Sequence, residues 1–338
     1  MKNQSLLLTF LVGSLWLGIN VSASSAFASN QSSSYDFPVK DRKGNEKILV
    51  SVPDAQIVIM GSAGANSLKI NLLDALNDEA MVQTRDGQIE VIAKEKSKEK
   101  WGAPLSAKKR VIEISGATLP LEIHLFEGNV TVNKWDKDVL VQIQKGKLVS
   151  KGGSGHLTAH VQKGDVLIQD HTGKISLDSY AAKVSIQDLT GDLDLENFSG
   201  ESIIEKAKGY LSLSQGSGVT KVLTSQGTLQ FENNKGIFTS QAFNGRIEGK
   251  TQEGPVTVQM AKETEINMKS QAGKVTVKAV PGQGTLLSLF TTEGDIYLPG
   301  YLKVSRDSNG KSFRGRMRGD AQKGSVVVRS QTGAIVVQ

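Results

Sequence analysis

Glycine returns every nine residues through the middle of the chain, and this period constrains the fold more than any other feature. Counted in frames of nine from Gly128 to the frame that opens at Gly254, thirteen of fifteen frames begin with glycine, the exceptions being Lys137 and Ala182. The third position is apolar in thirteen of the fifteen frames. The unit G-x-Φ-x-Φ-x-x-x-x therefore predicts a short strand with one buried face, followed by a turn that uses the glycine.

Such a unit cannot bury its apolar face alone, so neighbouring units must stack. Two arrangements satisfy the period: a parallel β-solenoid with two strands in each coil of ~18 residues, and an antiparallel meander. A single regular glycine, with other residues tolerated at some corners, does not resemble the two-residue turns of hairpins. The predicted fold is therefore all-β, a parallel β-solenoid (β-helix) with an irregular β N-terminal cap.

The segments around the repeat predict the domain organisation. Lys2, the apolar run that follows it and an A-x-A site ending at Ala28 are typical of a signal peptide. Asn20 and Ser22 shorten the apolar run, which disfavours a retained membrane anchor. The expected segments are a signal peptide at 1–28, a polar linker at 29–35, an irregular β cap region at 36–118, and the repeat domain at 119–338 with a basic insertion at 299–314.

Composition narrows the class of function. The chain has 40 basic and 34 acidic side chains and a formal charge of +6, too mild and too interspersed for a nucleic-acid partner. The absence of cysteine excludes disulfides, thiolate metal sites and a lipid-modified N-terminal cysteine. We expect a protein exported through the signal peptide to the periplasm or the cell surface, with no transmembrane segment in the mature chain.

The sequence predicts no catalytic residue, no cofactor and no metal site. The motifs of serine hydrolases, phosphate loops and zinc proteases are missing, and the calcium-binding nonapeptide pattern fails in nearly every frame. His156 and His160 share one side of a strand but stand about 13 Å apart, too far for one ion. Outward acids such as Asp192 and Asp194 alternate with other polar residues, and we expect no aromatic residues beside them for sugar stacking. A β-helix glycan-active enzyme is therefore the least favoured alternative.

One predicted sheet carries outward apolar side chains, whereas the other has almost none. Packing on the cap region, a bulge that turns some of them inward, or contact with a partner or a second copy would each explain this asymmetry. The candidate interface residues are Val149, Leu167, Ile203, Val219, Leu223 and Ile237.

Arginines alternate from the last residue of the basic insertion onward. Arg314, Arg316 and Arg318 are candidate anion-binding residues, because guanidinium groups on one strand face suit the phosphate or carboxylate groups of envelope glycans. The lysine-rich stretch 94–110 is a second basic segment. Solvated loops remain the alternative for both.

The stretch 112–177 resembles the bacterial "putative adhesin" family of exported β-strand-repeat proteins. Pro120, followed by Leu121, Ile123 and Gly128, matches its proline-led strand and its series of G-x-V-x-V phrases, and the similarity extends over roughly 110–300. The resemblance implies a β-solenoid and carries over no catalytic residue. We therefore predict an exported, non-enzymatic, adhesin-like surface or envelope-associated binding protein, whose partner is a protein or glycan. The alternative is a periplasmic or envelope scaffold that self-associates.

Overall fold

Each coil is built from a strand that bends at a glycine. The computed structural model describes residues 32–39, 46–74, 79–94, 110–319 and 321–338. Strands β7 (Leu121–Asn133) and β8 (Val139–Lys151) each run along a first sheet, bend, and continue along a second sheet. Their parallel register places each residue opposite the one 18 positions later, as at Val130 and Leu148. The predicted parallel β-solenoid with coils of this length is confirmed.

The same bent strand repeats toward the C-terminus. The first sheet contains residues 121–125 and their equivalents in later coils, and the second sheet contains 130–133 and their equivalents. The first corner joins the first sheet to the second within a coil, and the second corner leads to the next coil. The strands are β9 (Ser154–Thr190, two coils), β10 (Leu193–Glu205), β11 (Lys208–Leu223), β12 (Gln226–Asn233), β13 (Ile237–Thr251), β14 (Val256–Met260), β15 (Glu265–Ser270) and β16 (Val275–Lys278).

The N-terminal end of the stack is out of sequence order. Strand β2 stacks in parallel on β7, while β5 and β6 form a further coil on the other side of β2. Antiparallel strands cover that outer coil: β4 pairs with β5, β3 with β6, and β1 with β3. The bounds are β1 (Ser33–Pro38), β2 (Lys47–Gly61), β3 (Ser67–Asp74), β4 (Ala80–Arg85), β5 (Gln88–Ala93) and β6 (Arg110–Gly116). The expected signal peptide and most of the lysine-rich stretch lie outside the described residues.

The C-terminal end of the stack is also out of sequence order and is also covered by an antiparallel strand. The last coil in sequence, β21 and β22, lies between the coil of β15 and β16 and the coil of β17 and β18. A hairpin, β19 and β20, then covers β17 in antiparallel pairing. The bounds are β17 (Gln283–Thr291), β18 (Ile296–Tyr297), β19 (Ser305–Asp307), β20 (Gly310–Arg316), β21 (Ala321–Ser330) and β22 (Ile335–Val337). In the described part of the chain no helix has the length and apolar character needed to cross a membrane.

Aliphatic side chains stacked coil on coil fill the interior. Ile175, Leu193 and Leu211 lie in one such column and are fully buried. Complete burial of a side chain of this size contributes about 1.5–3 kcal/mol, so the repeated columns account for most of the favourable free energy. The same stacking orders the outer surface, because each outward side chain lies next to the equivalent side chains of the neighbouring coils.

A buried ionic cluster ties the outer N-terminal coil to β2. The Arg110 side chain is fully buried, and its Nη1 and Nε lie 2.6 Å from Asp54 Oδ2 and 2.8 Å from Glu79 Oε2. Burial raises the pKa of Asp54, while Arg110 opposes that rise. Removing the arginine would leave two carboxylates buried together, so the cluster makes this junction specific.

Candidate functional site

An open groove of about 1070 Å³ runs along the first corner. Two rows of side chains line it, because residues one coil apart stack in register. The inner row is the last outward residue of each first-sheet strand, and the outer row is the residue two positions later, at the corner. The inner row is His124, Gln142, His160, Asp178 and Glu196; the outer row is Phe126, Gln144, Gln162, Tyr180 and Phe198.

Exposed aromatic rings stand at both ends of the outer row. Tyr180 and Phe198 are 61% and 55% exposed, and their rings stack with centroids 5.1 Å apart and planes inclined by 8°. Phe198 also lies over Gly216, where a methyl group would come within 3.0 Å of its ring. Phe126 is 60% exposed and stands three coils from Tyr180, about 14 Å at the spacing of neighbouring strands. The amides of Gln144 and Gln162 occupy the interval between them.

Hydrogen bonds hold the N-terminal end of the inner row. His124 Nδ1 lies 2.9 Å from Gln142 Oε1, and His124 Nε2 lies 2.7 Å from Glu122 Oε1. Lys47 Nζ donates to the other oxygen of Glu122 at 2.8 Å. The hydrogen bond from Lys47, and next that from His124, lower the pKa of Glu122 below its ordinary value.

The inner row becomes acidic beside the paired rings. His160 Nδ1 lies 2.9 Å from Asp178 Oδ2, and Glu196 follows Asp178 in register one coil later. These groups are exposed on the strands that carry Tyr180 and Phe198. The C-terminal end of the groove therefore offers carboxylate acceptors next to apolar ring surface, with the amide donors and acceptors of Gln144 and Gln162 in the middle of the groove.

The outward carboxylates stand on an open surface. Asp192 Oδ1 accepts a hydrogen bond from the Tyr210 amide at 3.3 Å, and Asp194 lies between Ser176 and Ser212 in register. Within the described ranges, no group of three or more histidine, aspartate or glutamate side chains is placed to hold a metal ion. The arrangement can bind a ligand through hydrogen bonds and stacking, and the residues that the structure describes form an open groove there.

The candidate interface residues lie on the outer side of the second sheet. Ile237 is 48% exposed and the other five are half-buried, each flanked in its column by residues of neighbouring coils. The register of β10 and β11 runs unbroken through residues 199–205 and 217–223, so no bulge turns Ile203 or Val219 inward. The cap strands pair at the end of the stack and do not cover this face.

The three candidate anion-binding arginines are all exposed but do not form one cluster. Arg314 and Arg316 share the outer face of β20, opposite Ser288 and Leu286. Arg316 Nη2 donates to the Gly319 carbonyl oxygen at 3.5 Å. Arg318 lies beyond the strand, with its guanidinium carbon 4.7 Å from the centre of the Tyr301 ring.

The sequence-based expectation that the first sheet lacks aromatic residues for stacking was wrong. Phe126, Tyr180 and Phe198 belong to the corner positions, outside the strand pattern in which outward residues were sought. Their numbers differ by multiples of 18, so a search along the coil period could have found them. Their exposure and their stacking could be learned only from the structure.

Comparison with known proteins gives a family and distant structural likenesses. The profile of the family described as Toastrack DUF4097 matches residues 45–333. Among curated proteins, none matches the sequence. A "putative cell adhesion protein" from Clostridium sporogenes is 10% identical, with 91% of this chain and 99% of that chain covered and a TM-score of 0.20. A "putative adhesin" from Bacteroides fragilis is 14% identical (92% and 98%, TM-score 0.24), and a "putative lipid binding protein" from Parabacteroides distasonis is 11% identical (90% and 96%, TM-score 0.29). No residue role is transferred from these structures.

Proposed function

The chain belongs to the Toastrack DUF4097 family. Given this family and the groove at the first corner, we propose that the protein is an exported, non-enzymatic, adhesin-like binding protein of the cell surface or envelope. The signal sequence ending at Ala28 supports export. The ligand lies along the groove and contacts several coils at once.

The exposed aromatic side chains of the outer row are the observation that carries this proposal. Large aromatic side chains that remain in solvent on a rigid scaffold supply contact area at little cost in conformational entropy. Here the stacked pair, Tyr180 and Phe198, is held by the register of two coils. A ligand that covers these rings gains burial energy without first ordering the site.

The chemistry of the two rows favours a glycan over a peptide. A sugar ring presents apolar C–H faces, which pack on aromatic rings, and hydroxyl groups around its edge, which bond to carboxylates and amides. Asp178, Glu196, Gln144 and Gln162 place such groups within one or two coils of the rings. The strand spacing of ~4.8 Å repeats these contacts along the axis, which suits a linear polymer.

The test compares binding of the purified protein to insoluble polysaccharides, using chitin, cellulose and peptidoglycan sacculi as probes. Tyr180→Ala and Phe198→Ala should each weaken binding by about 1–2 kcal/mol, roughly 5- to 30-fold, because each removes a large exposed contact surface. Both side chains are mostly exposed, so the fold and its thermal unfolding should change little.

The matched control is Tyr297→Ala, which removes a tyrosine that is 56% exposed on β18, away from the groove. It should bind as the unaltered protein does. Equal binding by all variants, or no binding of the unaltered protein to any of the polysaccharides, would contradict a glycan-binding groove.

Proteinase digestion of intact cells that carry an epitope-tagged copy tests the location. Degradation on intact cells is the expected result for a surface adhesin, and lysed cells serve as the control for accessibility. Protection until lysis would contradict surface display and would restrict the ligand to the envelope.

A further inference from the structure

The C-terminal end of the first sheet presents a basic outer face. Four strands form it side by side, in the order β15, β21, β17 and β20. Lys269 lies opposite Arg329, which lies opposite Phe290 on the next strand. On β20, Arg314 and Arg316 point to the same side, because directly opposed residues of neighbouring strands share a face.

The cations of this face have no ion-pair partner among the described residues. Lys269, Arg314, Arg316 and Arg329 are exposed, and none of them forms an ion pair with a residue that the structure describes. Glu265 is the carboxylate that β15 adds to the same side. Like charges directly opposed on neighbouring strands, as at Lys269 and Arg329, are unfavourable unless an anion lies between them.

Apolar side chains are interleaved with these cations. Leu286 is 41% exposed opposite Arg316, and Phe290 is 36% exposed between Arg329 and Ser312. Val327, half-buried, continues the apolar surface onto β21. A soluble polyanion would bond to the guanidinium groups but would gain nothing from leucine and phenylalanine side chains. A lipid surface uses both kinds of group, since apolar residues enter the headgroup boundary while basic residues meet anionic headgroups.

We propose that this face, which we call the terminal basic face (Lys269, Leu286, Phe290, Arg314, Arg316 and Arg329), docks on an anionic lipid membrane. Docking places the outer side of the first sheet, at its C-terminal coils, against the lipid. The inference does not depend on what the groove binds.

The test is co-sedimentation of residues 29–338, which contain the whole compact unit Gln31–Gln338, with vesicles of phosphatidylcholine alone or mixed with phosphatidylglycerol. Binding should require the anionic lipid and weaken as salt shortens the range of the charges. Arg314→Gln/Arg316→Gln should weaken it about 25-fold, fivefold for each charge lost near the surface. Leu286→Ser/Phe290→Ser should weaken it at least tenfold by removing the apolar contacts.

The matched control is Lys147→Gln/Lys163→Gln, which removes two exposed ammonium groups that have no ion-pair partner in the described residues. This variant should bind as the unaltered protein does, and circular dichroism should show every variant folded. Equal weakening by the control would mean general charge attraction and would overturn the proposal. It would also be overturned if the Leu286 and Phe290 variant bound normally while inorganic polyphosphate displaced the vesicles, because the face would then be a polyanion site.

Discussion

At the scale of single residues, contact between neighbouring coils explains the nine-residue period of glycine. A methyl group added at Gly164 would overlap the carbonyl oxygen of Gly146, which itself stacks on Gly128. The backbone there also has φ of +139°, where side chains are strained. Glycine is therefore required at this corner twice over, by space and by backbone conformation.

Gly164→Ala should lower the free energy of unfolding by at least about 4 kcal/mol, because the coils would have to separate. Gly152→Ala is the matched control: Gly152 also has positive φ, +62°, but a methyl group there would meet only a Lys134 side-chain carbon at 3.6 Å. We expect a loss of about 1 kcal/mol from backbone strain alone. Urea unfolding followed by circular dichroism measures both. Equal losses in the free energy of unfolding for the two variants would show that the close approach of neighbouring coils is not the reason for glycine at position 164.

His171 lies at the second corner of its coil, whereas Gly164 lies at the first corner, and its side chain is buried, with 3% exposed. Burial lowers its pKa below the ordinary value of 6.5, so the folded protein keeps this imidazole neutral where the unfolded chain would bind a proton. Its contribution to stability is therefore complete above about pH 6.5 and is lost as the pH falls from there toward the lower folded-state pKa.

His171→Gln should remove that part of the pH dependence, while its amide can still donate to the Gly155 carbonyl oxygen that lies 3.3 Å from His171 Nε2. Thermal unfolding between pH 7.5 and 5 is the measurement. The control Gln259→Asn alters an exposed side chain that does not titrate and should leave the slope unchanged. An unchanged slope in the His171 variant would mean that this histidine binds protons equally in the folded and unfolded states, so that burial does not shift its pKa.

At the scale of elements, the first corner has two forms. In the N-terminal coils the strand bends continuously at a glycine of positive φ, as at Gly146. From Asn233 onward a polar residue closes a tight turn by bonding three residues ahead: Thr251 Oγ1 donates to the Gly254 carbonyl oxygen at 2.6 Å, and Ser330 Oγ to that of Gly333 at 2.7 Å. The pattern [STN]-x-x-G thus marks this turn. Glycine persists there although φ is ordinary, because a methyl group at Gly254 would overlap the carbonyl oxygen of Gly236 one coil earlier.

Thr251→Val should lower the free energy of unfolding by about 1–2 kcal/mol, because a buried carbonyl oxygen loses its donor while the side-chain volume is kept. Thr239→Val makes the same exchange on the outer, half-buried side of β13 and should change stability by less than about 0.5 kcal/mol. Calorimetry of the two variants gives the comparison. A neutral Thr251 variant would show that the turn does not need the hydroxyl.

At the scale of the whole molecule, short strands end the stack: β1 and β19 pair with their neighbours in antiparallel, and β18 pairs in parallel with β22. Pro38 ends β1, and β18 and β19 are only two and three residues long. Short edges and proline discourage pairing of one sheet edge with another molecule. If the protein self-associates, as the scaffold alternative requires, the outer side of the second sheet is the better surface, with Ile237 its most exposed candidate.

Val219→Lys/Ile237→Lys tests that surface by placing two charges in one column of β11 and β13, where the unaltered residues are directly paired. If two copies associate there, sedimentation velocity should show a concentration-dependent oligomer of the unaltered protein and a monomer of the variant. Gln230→Lys/Asn267→Lys, exposed on the first sheet, is the control. A monomer at every concentration for the unaltered protein would exclude the scaffold.

Much of the fold followed from periodicity. The frame from Gly128 onward predicted the strands and their parallel stacking, because a period-two apolar pattern and a regular glycine are local properties. The order of the end coils did not follow, since β21 enters between β15 and β17 through contacts distant in sequence. The paired rings were missed for a related reason: Tyr180 and Phe198 are 18 residues apart and become neighbours only when the coils stack.

The sequence by itself determined the repeating unit, because the alternation of apolar residues and the need for glycine at close-packed corners act within one or two turns of chain. It also set which side of each strand carries charge. Only the tertiary structure decided which coils neighbour each other, and with them the groove beside Tyr180 and Phe198 and the basic face around Phe290. Both surfaces are columns of residues from different coils, and a column exists only after stacking has brought its members to the spacing of adjacent strands.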